Sequence, residues 1–312
     1  MSNKILFHIG YHKTATTFLQ RFFFTERFGY NPVFSHADVC EVIIDPHRLD
    51  FSGDPARQRL AERQGAQGTT PVVSSELLCG HPYQGGRENH DFAYRIKEIA
   101  PDAKILITIR EQIRAITSSY MQYLNRAGTL SLRDFLNPDE YYGYYYFSPS
   151  HFHYDRIVHL YQTLFGAGNV LVITQEEIAK DSPSALRTIS EFAGADAAPI
   201  AELEPPRRIG DSPPESLSPI LRRINHFRSG AVKPEVLVDL GPAAEWAFRG
   251  VGWFGRVGPL NAWLKSKQTV REFIKQELSG QFAESNQQLQ HLIGPRIDLA
   301  SFSYELPRDP VW

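Results

Sequence analysis

Short apolar runs separated by stretches of helical periodicity organise this chain. The runs are Ile5–Ile9, Val72–Val73 leading into Ser74-Ser75-Glu76, Ile105–Ile109 and Val170–Ile173. Each is too short for a helix and rich in β-branched residues, so each predicts a buried strand. Between them, apolar positions recur at helical spacing. Phe18, Leu19, Phe22 and Phe23 follow the first run, and Ile113, Ile116, Tyr120 and Leu124 follow the third. A further short helix is predicted over 184–192, stopped by Gly194. Alternation of this kind predicts an α/β fold, a parallel sheet covered by helices on both faces.

The remainder is less regular. Residues 29–70 make a long excursion before the second strand, and "YYGYYYFSPSHFHY" (141–154) is densely aromatic. A proline-rich loop, "EPPRRIGDSPPESLSP", covers 204–219, and 220–294 reads mainly as helices. No internal repeat or low-complexity linker divides the chain. The expectation is one domain over 1–312, with an α/β core to residue 200 and a mainly helical extension and lid over 201–312.

Composition narrows the function. At 42% hydrophobic and 22% charged residues the chain has globular proportions. A formal net charge of −2 argues against a general nucleic-acid binder, so an anionic ligand must be held by a local basic site. The two cysteines, Cys40 and Cys79, offer neither a disulfide framework nor paired metal spacing, and no His-Glu-x-x-His occurs. No apolar run approaches the ~18 residues that span a bilayer. These features set the expectation of a cytoplasmic protein without a metal.

Two segments carry candidate chemistry. In "HIGYHKTATTFLQ" (8–20) a strand ends in a glycine turn that opens a helix. Backbone N–H groups and the helix dipole make such a turn attractive to anions, and Lys13 adds a full charge. Thr16 and Thr17 can donate to phosphate oxygens. The alternative is an ordinary threonine-capped helix with an exposed lysine nearby. The second segment, "IREQIRAITSSYMQYL" (109–124), puts Arg110 at a strand end. Ser118 lies about two turns along the next helix, roughly 12 Å by helical rise, facing away from the apolar stripe with Arg114 and Gln122. An arginine fork and a hydroxyl there can meet a second phosphate. The alternative is a solvated polar face. A magnesium-dependent kinase of the Walker type keeps an acid at a neighbouring strand end and a second glycine before its lysine. Here Arg110 ends the third strand, although the second delivers Glu76.

The first segment resembles the 5′-phosphosulfate loop of sulfotransferases that use 3′-phosphoadenosine 5′-phosphosulfate (PAPS), particularly bacterial members. Arg110, Ser118 and Tyr120 are similar in order and spacing to their 3′-phosphate motif. "FGAGNVLVITQEEI" (165–178) and "FAESNQQLQHLIG" (282–294) also resemble family segments. Three departures are His12 in place of a common proline, Ala15 in place of a glycine and Gln112 in place of a proline. The resemblance implies a three-layer, P-loop-type parallel sheet flanked by helices, with a helical C-terminal extension. It implies PAPS as co-substrate, no metal, and an acceptor hydroxyl, with carbohydrate the leading class. A P-loop kinase using ATP and magnesium is the alternative.

The resemblance also assigns roles. Gly10, His12, Lys13, Thr14, Ala15, Thr16 and Thr17 form the loop, with Lys13 at the leaving oxygen. Arg110 and Ser118 hold the 3′-phosphate. Glu76 is the expected general base, its pKa raised by partial desolvation, and His81 is the second choice. Glu76 can instead be a structural acid paired with Lys13 or Arg110. Arg207 and Arg208 can reach over the nucleotide as part of a lid, or form a solvated pair. The tyrosines of 141–146 can stack on an acceptor or pack inward. The Trp246–Trp263 stretch is expected to form a folded helical cap in preference to a contact with a membrane or partner.

Overall fold

The computed structural model describes residues 4–63, 68–137, 147–195, 200, 213–236, 238–255 and 259–307. Five strands form one parallel sheet: β1 (Leu6–His8), β2 (Tyr30–Pro32), β3 (Thr70–Ser74), β4 (Lys104–Ile109) and β5 (Val170–Thr174), in the order β2-β3-β1-β4-β5. Register pairs Phe7 with Val73 on one side and with Ile105 on the other, and Ile107 with Val172. The strand period of two then sorts the side chains into two buried clusters. Phe7, Val73, Ile105, Ile107 and Val172 face one way. Leu6, Val72, Leu106 and Ile173 face the other. The middle layer is therefore apolar on both faces, as the uninterrupted runs predict.

Helices cover both faces. In chain order they are α1 (Thr16–Phe18), which continues as a π turn over Leu19–Phe23, α2 (His36–Val39), α3 (Asp54–Glu62), α4 (Asn89–Ile99), α5 (Gln112–Asn125), α6 (Leu132–Leu136), α7 (Tyr154–Phe165), α8 (Gln175–Lys180) and α9 (Ser182–Ala193). The π turn and α9 supply Leu19, Phe23, Leu186 and Ile189 to one cluster. Helices α4, α5 and α7 supply Ile96, Ile116, Tyr161 and others to the opposite one. Helix α9 ends where expected, at Gly194 in a left-handed conformation (φ 78°).

Two differences from the sequence reading stand out. Strand β2 lies inside the 29–70 excursion, where three residues ending in proline gave no apolar run. It pairs only with β3, at the sheet edge, where proline is tolerated. The extension does fold into helices: α10 (Ser218–Ile224), α11 (Pro242–Phe254), α12 (Pro259–Ser266), α13 (Thr269–Glu277) and α14 (Ala283–Ile293). Its inner residues Leu221, Phe248, Val270 and Ile274 join the same cluster as the sheet. The tryptophans of this cap, however, face solvent: Trp246, Trp253 and Trp263 are 78%, 58% and 55% exposed.

A buried amide pair anchors α5 to the end of the chain. The Gln112 side chain donates to Asn286 Oδ1 at 2.5 Å, and Asn286 donates to the Glu305 carbonyl at 2.9 Å. The Gln112 amide thus ties the start of α5 to the C-terminal segment.

Candidate active site

Parallel strands deliver their following loops to one edge of a sheet, and ligands of such folds bind where neighbouring connections diverge. Here that point lies between β1 and β4, since β1 connects outward to β2 and β4 outward to β5.

After His8 the chain stays on β4 for three more residues. Ile9 N–H donates to the Leu106 carbonyl at 3.0 Å and Tyr11 N–H to the Thr108 carbonyl at 2.9 Å. Beneath this turn lies a buried polar floor. His8 bonds Ser74 Oγ at 2.7 Å and Thr108 Oγ1 at 3.1 Å, and Thr108 meets the Thr14 hydroxyl at 2.7 Å. Gly10 sits directly on it. A Cβ at position 10 would come within 2.0 Å of Thr108 Oγ1 and 2.6 Å of His8 Nε2. Glycine is required here by close approach, not by an unusual φ.

The loop then turns through two left-handed residues, Lys13 and Ala15, each at φ 66°. Ala15, which departs from the glycine that the resemblance leads one to expect, thus occupies a conformation that costs a non-glycine residue about 1–2 kcal/mol. Ala15 is the N-cap of α1 and offers no side-chain oxygen, so no side chain caps this helix. Thr14 does not cap it either, because its hydroxyl donates to the Tyr11 carbonyl at 2.5 Å. The threonine-capped alternative therefore fails. Thr14 can offer a ligand only its backbone N–H. Thr16 is buried and Thr17 exposed.

Arg110 leaves β4 beside this loop, with its Nη1 3.5 Å from the Lys13 carbonyl. Its own carbonyl accepts from the Tyr154 hydroxyl at 2.8 Å. Glu111 caps α5 by accepting from the N–H groups of Ile113 and Arg114 at 2.9 and 3.0 Å. Along α5, Arg114, Ser118 and Gln122 form the less buried face, as the helical period requires. Burial lowers the Arg110 pKa, opposed by nearby Glu176. Its Nε is buried without a hydrogen-bond partner. Among the described residues no carboxylate forms an ion pair with Arg110 or Lys13. Burial, Arg126 and Arg110 together lower the Lys13 pKa.

Glu76 follows β3 at the same edge. Gln20 donates to its Oε2 at 3.3 Å. Burial pushes its pKa up, but its own backbone N–H, His12, Gln20 and His8 outweigh that and hold the carboxyl below the ordinary range. The expectation of a raised pKa is thus overturned. His81 Nδ1 accepts from the Tyr83 N–H at 3.3 Å, which assigns the proton of the neutral ring to Nε2. Burial and then Arg126 lower its pKa. The His12 ring lies 5.8 Å from that of His81. Burial above all brings the His12 pKa down to about 4, and its Nδ1 is buried without a partner.

Arg126, at the C-cap of α5, is the site residue that pattern reading missed. Its charge acts on Lys13, His12 and His81 together. Nothing in its spacing marks it, because it is a helix-end arginine in a polar turn. Arg207, Arg208 and the tyrosines of 141–146 lie outside the described residues. Among the described residues no group of three or more His, Cys, Asp or Glu side chains is arranged to hold a metal ion.

Residues 87–199 match the model of the sulfotransferase family. That segment includes β4, Arg110, Ser118 and β5, while the Lys13 loop and Glu76 lie before it. Among solved structures, a sulfotransferase from Alicyclobacillus acidocaldarius aligns over 97% of this chain and 100% of its own, with a TM-score of 0.52 and 19% identity. At that identity the likeness is one of fold, and it is the sulfotransferase α/β fold. A sulfotransferase domain from the curacin biosynthetic pathway aligns over 89% and 98%, with a TM-score of 0.44 and 12% identity. A mouse sulfotransferase solved with 3′-phosphoadenosine 5′-phosphate (PAP) aligns over 88% of both chains, at 0.32 and 19%. No curated protein sequence matches the chain.

Proposed function

We propose that this protein transfers the sulfuryl group of PAPS to an acceptor hydroxyl, with a carbohydrate or other small molecule as acceptor and without a metal. In this reading residues 1–312 form one catalytic domain. The observation that carries it is the meeting of two cation-bearing loops at the β1/β4 divergence. Lys13 and Arg110 lie side by side there, and among the described residues no carboxylate is paired to either and Arg110 Nε is buried without a partner. Two adjacent anion sites fit a ligand with phosphates at both ends of its nucleoside.

The chain's residues then divide the work. N–H groups of residues 14–17 and the Thr16 and Thr17 hydroxyls receive the 5′-phosphate, on a loop shaped by Gly10, His12 and Ala15. Arg110 and Ser118 receive the 3′-phosphate, and Arg207 and Arg208 close over the nucleotide. Lys13 stabilises charge growing on the bridging oxygen as the S–O bond breaks. Glu76 takes the acceptor proton. It is better suited than His81, whose neutral ring carries its proton on Nε2 and has its Nδ1 lone pair engaged by Tyr83.

Incubation with 35S-labelled PAPS and panels of glycans and small alcohols tests the reading. Label should move to a hydroxyl compound in the presence of a chelator. Phosphoryl transfer from ATP with magnesium, and none from PAPS, would replace it with the kinase reading.

A further inference from the structure

The extension displays an apolar face that the fold leaves uncovered. Of the eleven exposed large apolar side chains among the described residues, eight lie between 220 and 263. Scattered exposure is ordinary, but concentration in one stretch of the chain marks an interaction surface. Helix α11 shows how it arises. Ala244, Phe248 and Gly252 recur at i, i+4 and i+8 and are buried. On the other side Trp246 and Trp253, seven residues apart, fall within about 20° of each other at 100° per residue. Phe254 follows at 69% exposed, and Trp263 on α12 adds a third indole. A helix that is apolar on both faces needs a second apolar neighbour.

The charge around this face selects the neighbour. Residues 242–267 contain four basic residues and one acid in a chain whose net charge is −2. That acid, Glu245, is already held by Arg228 and Arg249, each at 2.6 Å. Lys267 lies over the Trp263 ring, 4.6 Å from its centroid. Exposed indoles in a segment that carries four basic residues and one acid match the headgroup region of an anionic bilayer. Indoles partition to that level, and lysine and arginine meet lipid phosphates. No described helix is long and apolar enough to cross a membrane, so contact would lie in the interface plane.

We infer that α11 and α12 dock this protein onto anionic lipid surfaces through Trp246, Trp253, Phe254 and Trp263. The attachment sits close to the candidate site. Asn225 donates to the Leu124 and Gly128 carbonyls at 2.7 and 2.8 Å, and Val232 N–H donates to the Arg126 carbonyl at 3.1 Å. Docking would hold the Arg126 end of α5 near the membrane, where a lipid-borne or surface-bound acceptor is concentrated. The inference stands on the exposed face and its charge, independent of the transfer reaction.

The test is co-sedimentation of the full chain with phosphatidylcholine vesicles, with and without phosphatidylglycerol. Binding should require the anionic lipid and weaken as salt rises. Three of the four tryptophans lie on these two helices, so bromine-labelled acyl chains should quench most of the fluorescence. Trp253→Glu with Phe254→Glu should lower partition by on the order of tenfold or more, with an unchanged melting temperature. Absence of vesicle binding, or tryptophans left unquenched, overturns the inference. So does a folded double variant that binds as well as the parent, or one that only dissociates a lipid-free dimer. If the double variant does not fold, quenching of the parent decides alone.

Discussion

Arg110 Nη1 lies 3.5 Å from the carbonyl oxygen of Lys13, so the two motifs, 97 residues apart in sequence, form one site. The contact is long and contributes little by itself. Its meaning is positional, because it sets the Arg110 guanidinium against the backbone of the loop that carries Lys13.

PAP should therefore raise the melting temperature without magnesium, and more than AMP does, since Arg110 and Ser118 answer only the extra phosphate. Arg110→Ala should weaken PAP by about 2–3 kcal/mol and AMP far less, the range for losing a charge-assisted hydrogen-bonded pair. Titration calorimetry with both nucleotides checks this. Equal losses for the two would move the 3′-phosphate elsewhere.

Glu76→Gln should keep PAP affinity and lower turnover roughly 10²–10⁴-fold. The pH profile adds a sign. A carboxyl held low in the free protein is ionised throughout the neutral range, so kcat/KM should fall only in acid, below the usual carboxylate range. A bound polyanion raises that pKa, so the limb in kcat should lie at higher pH than the limb in kcat/KM. A limb near pH 6 in kcat/KM would indicate a histidine base. Lys13→Ala should lower both affinity and turnover.

Ala15 occupies a left-handed conformation, so Ala15→Gly should stabilise the protein by up to ~1 kcal/mol after the glycine's own entropy cost. Gly10→Ala should act in the opposite direction, because its methyl meets Thr108 and His8. Urea denaturation of both variants measures the pair.

Acid should destabilise the fold earlier than carboxylates alone predict. Burial brings His8 and His12 to about 4 and His151 to about 3. All three are neutral when folded but take up a proton near pH 6.5 when unfolded. Their contribution is present above pH 6.5 and lost as pH falls toward 4, roughly 3 kcal/mol for His8. Melting temperature against pH should bend down below 6.5, and less so in His8→Asn after correction for its lower starting stability.

Arg126→Gln removes a cation that depresses His81. The His81 pKa should rise toward its ordinary 6.5, a shift readable by NMR titration of the imidazole. An unmoved resonance would take Arg126 out of the site.

The central strands and the helical face of α5 were legible because burial on both faces writes continuous apolar runs, and a half-exposed helix writes a period near 3.6. Strand β2 was not, because three edge residues ending in Pro32 carry neither signal. The glycine turn leading to Lys13 is recognisable by residue type. The direction of the Thr14 hydroxyl is not, because it depends on Thr108, a strand residue 94 positions away. The Glu76 pKa was misjudged for a related reason. Partial burial was foreseeable, but the Gln20, His12 and His8 groups that outweigh it meet the carboxyl only in the folded chain.

The Gln112–Asn286 bond also sets a schedule for synthesis. Its partners are 174 residues apart, so α5 has no buried amide partner until almost the whole chain has left the ribosome. Loop closure over that span is slow relative to local helix formation. Helix α5 should then mature last, after the sheet has formed. A chain ending before residue 283 should collapse around its strands yet leave the Gln112 amide with only its 3.5 Å contact to the Phe152 carbonyl in an apolar interior, a nascent form suited to chaperones and poorly suited to ligands.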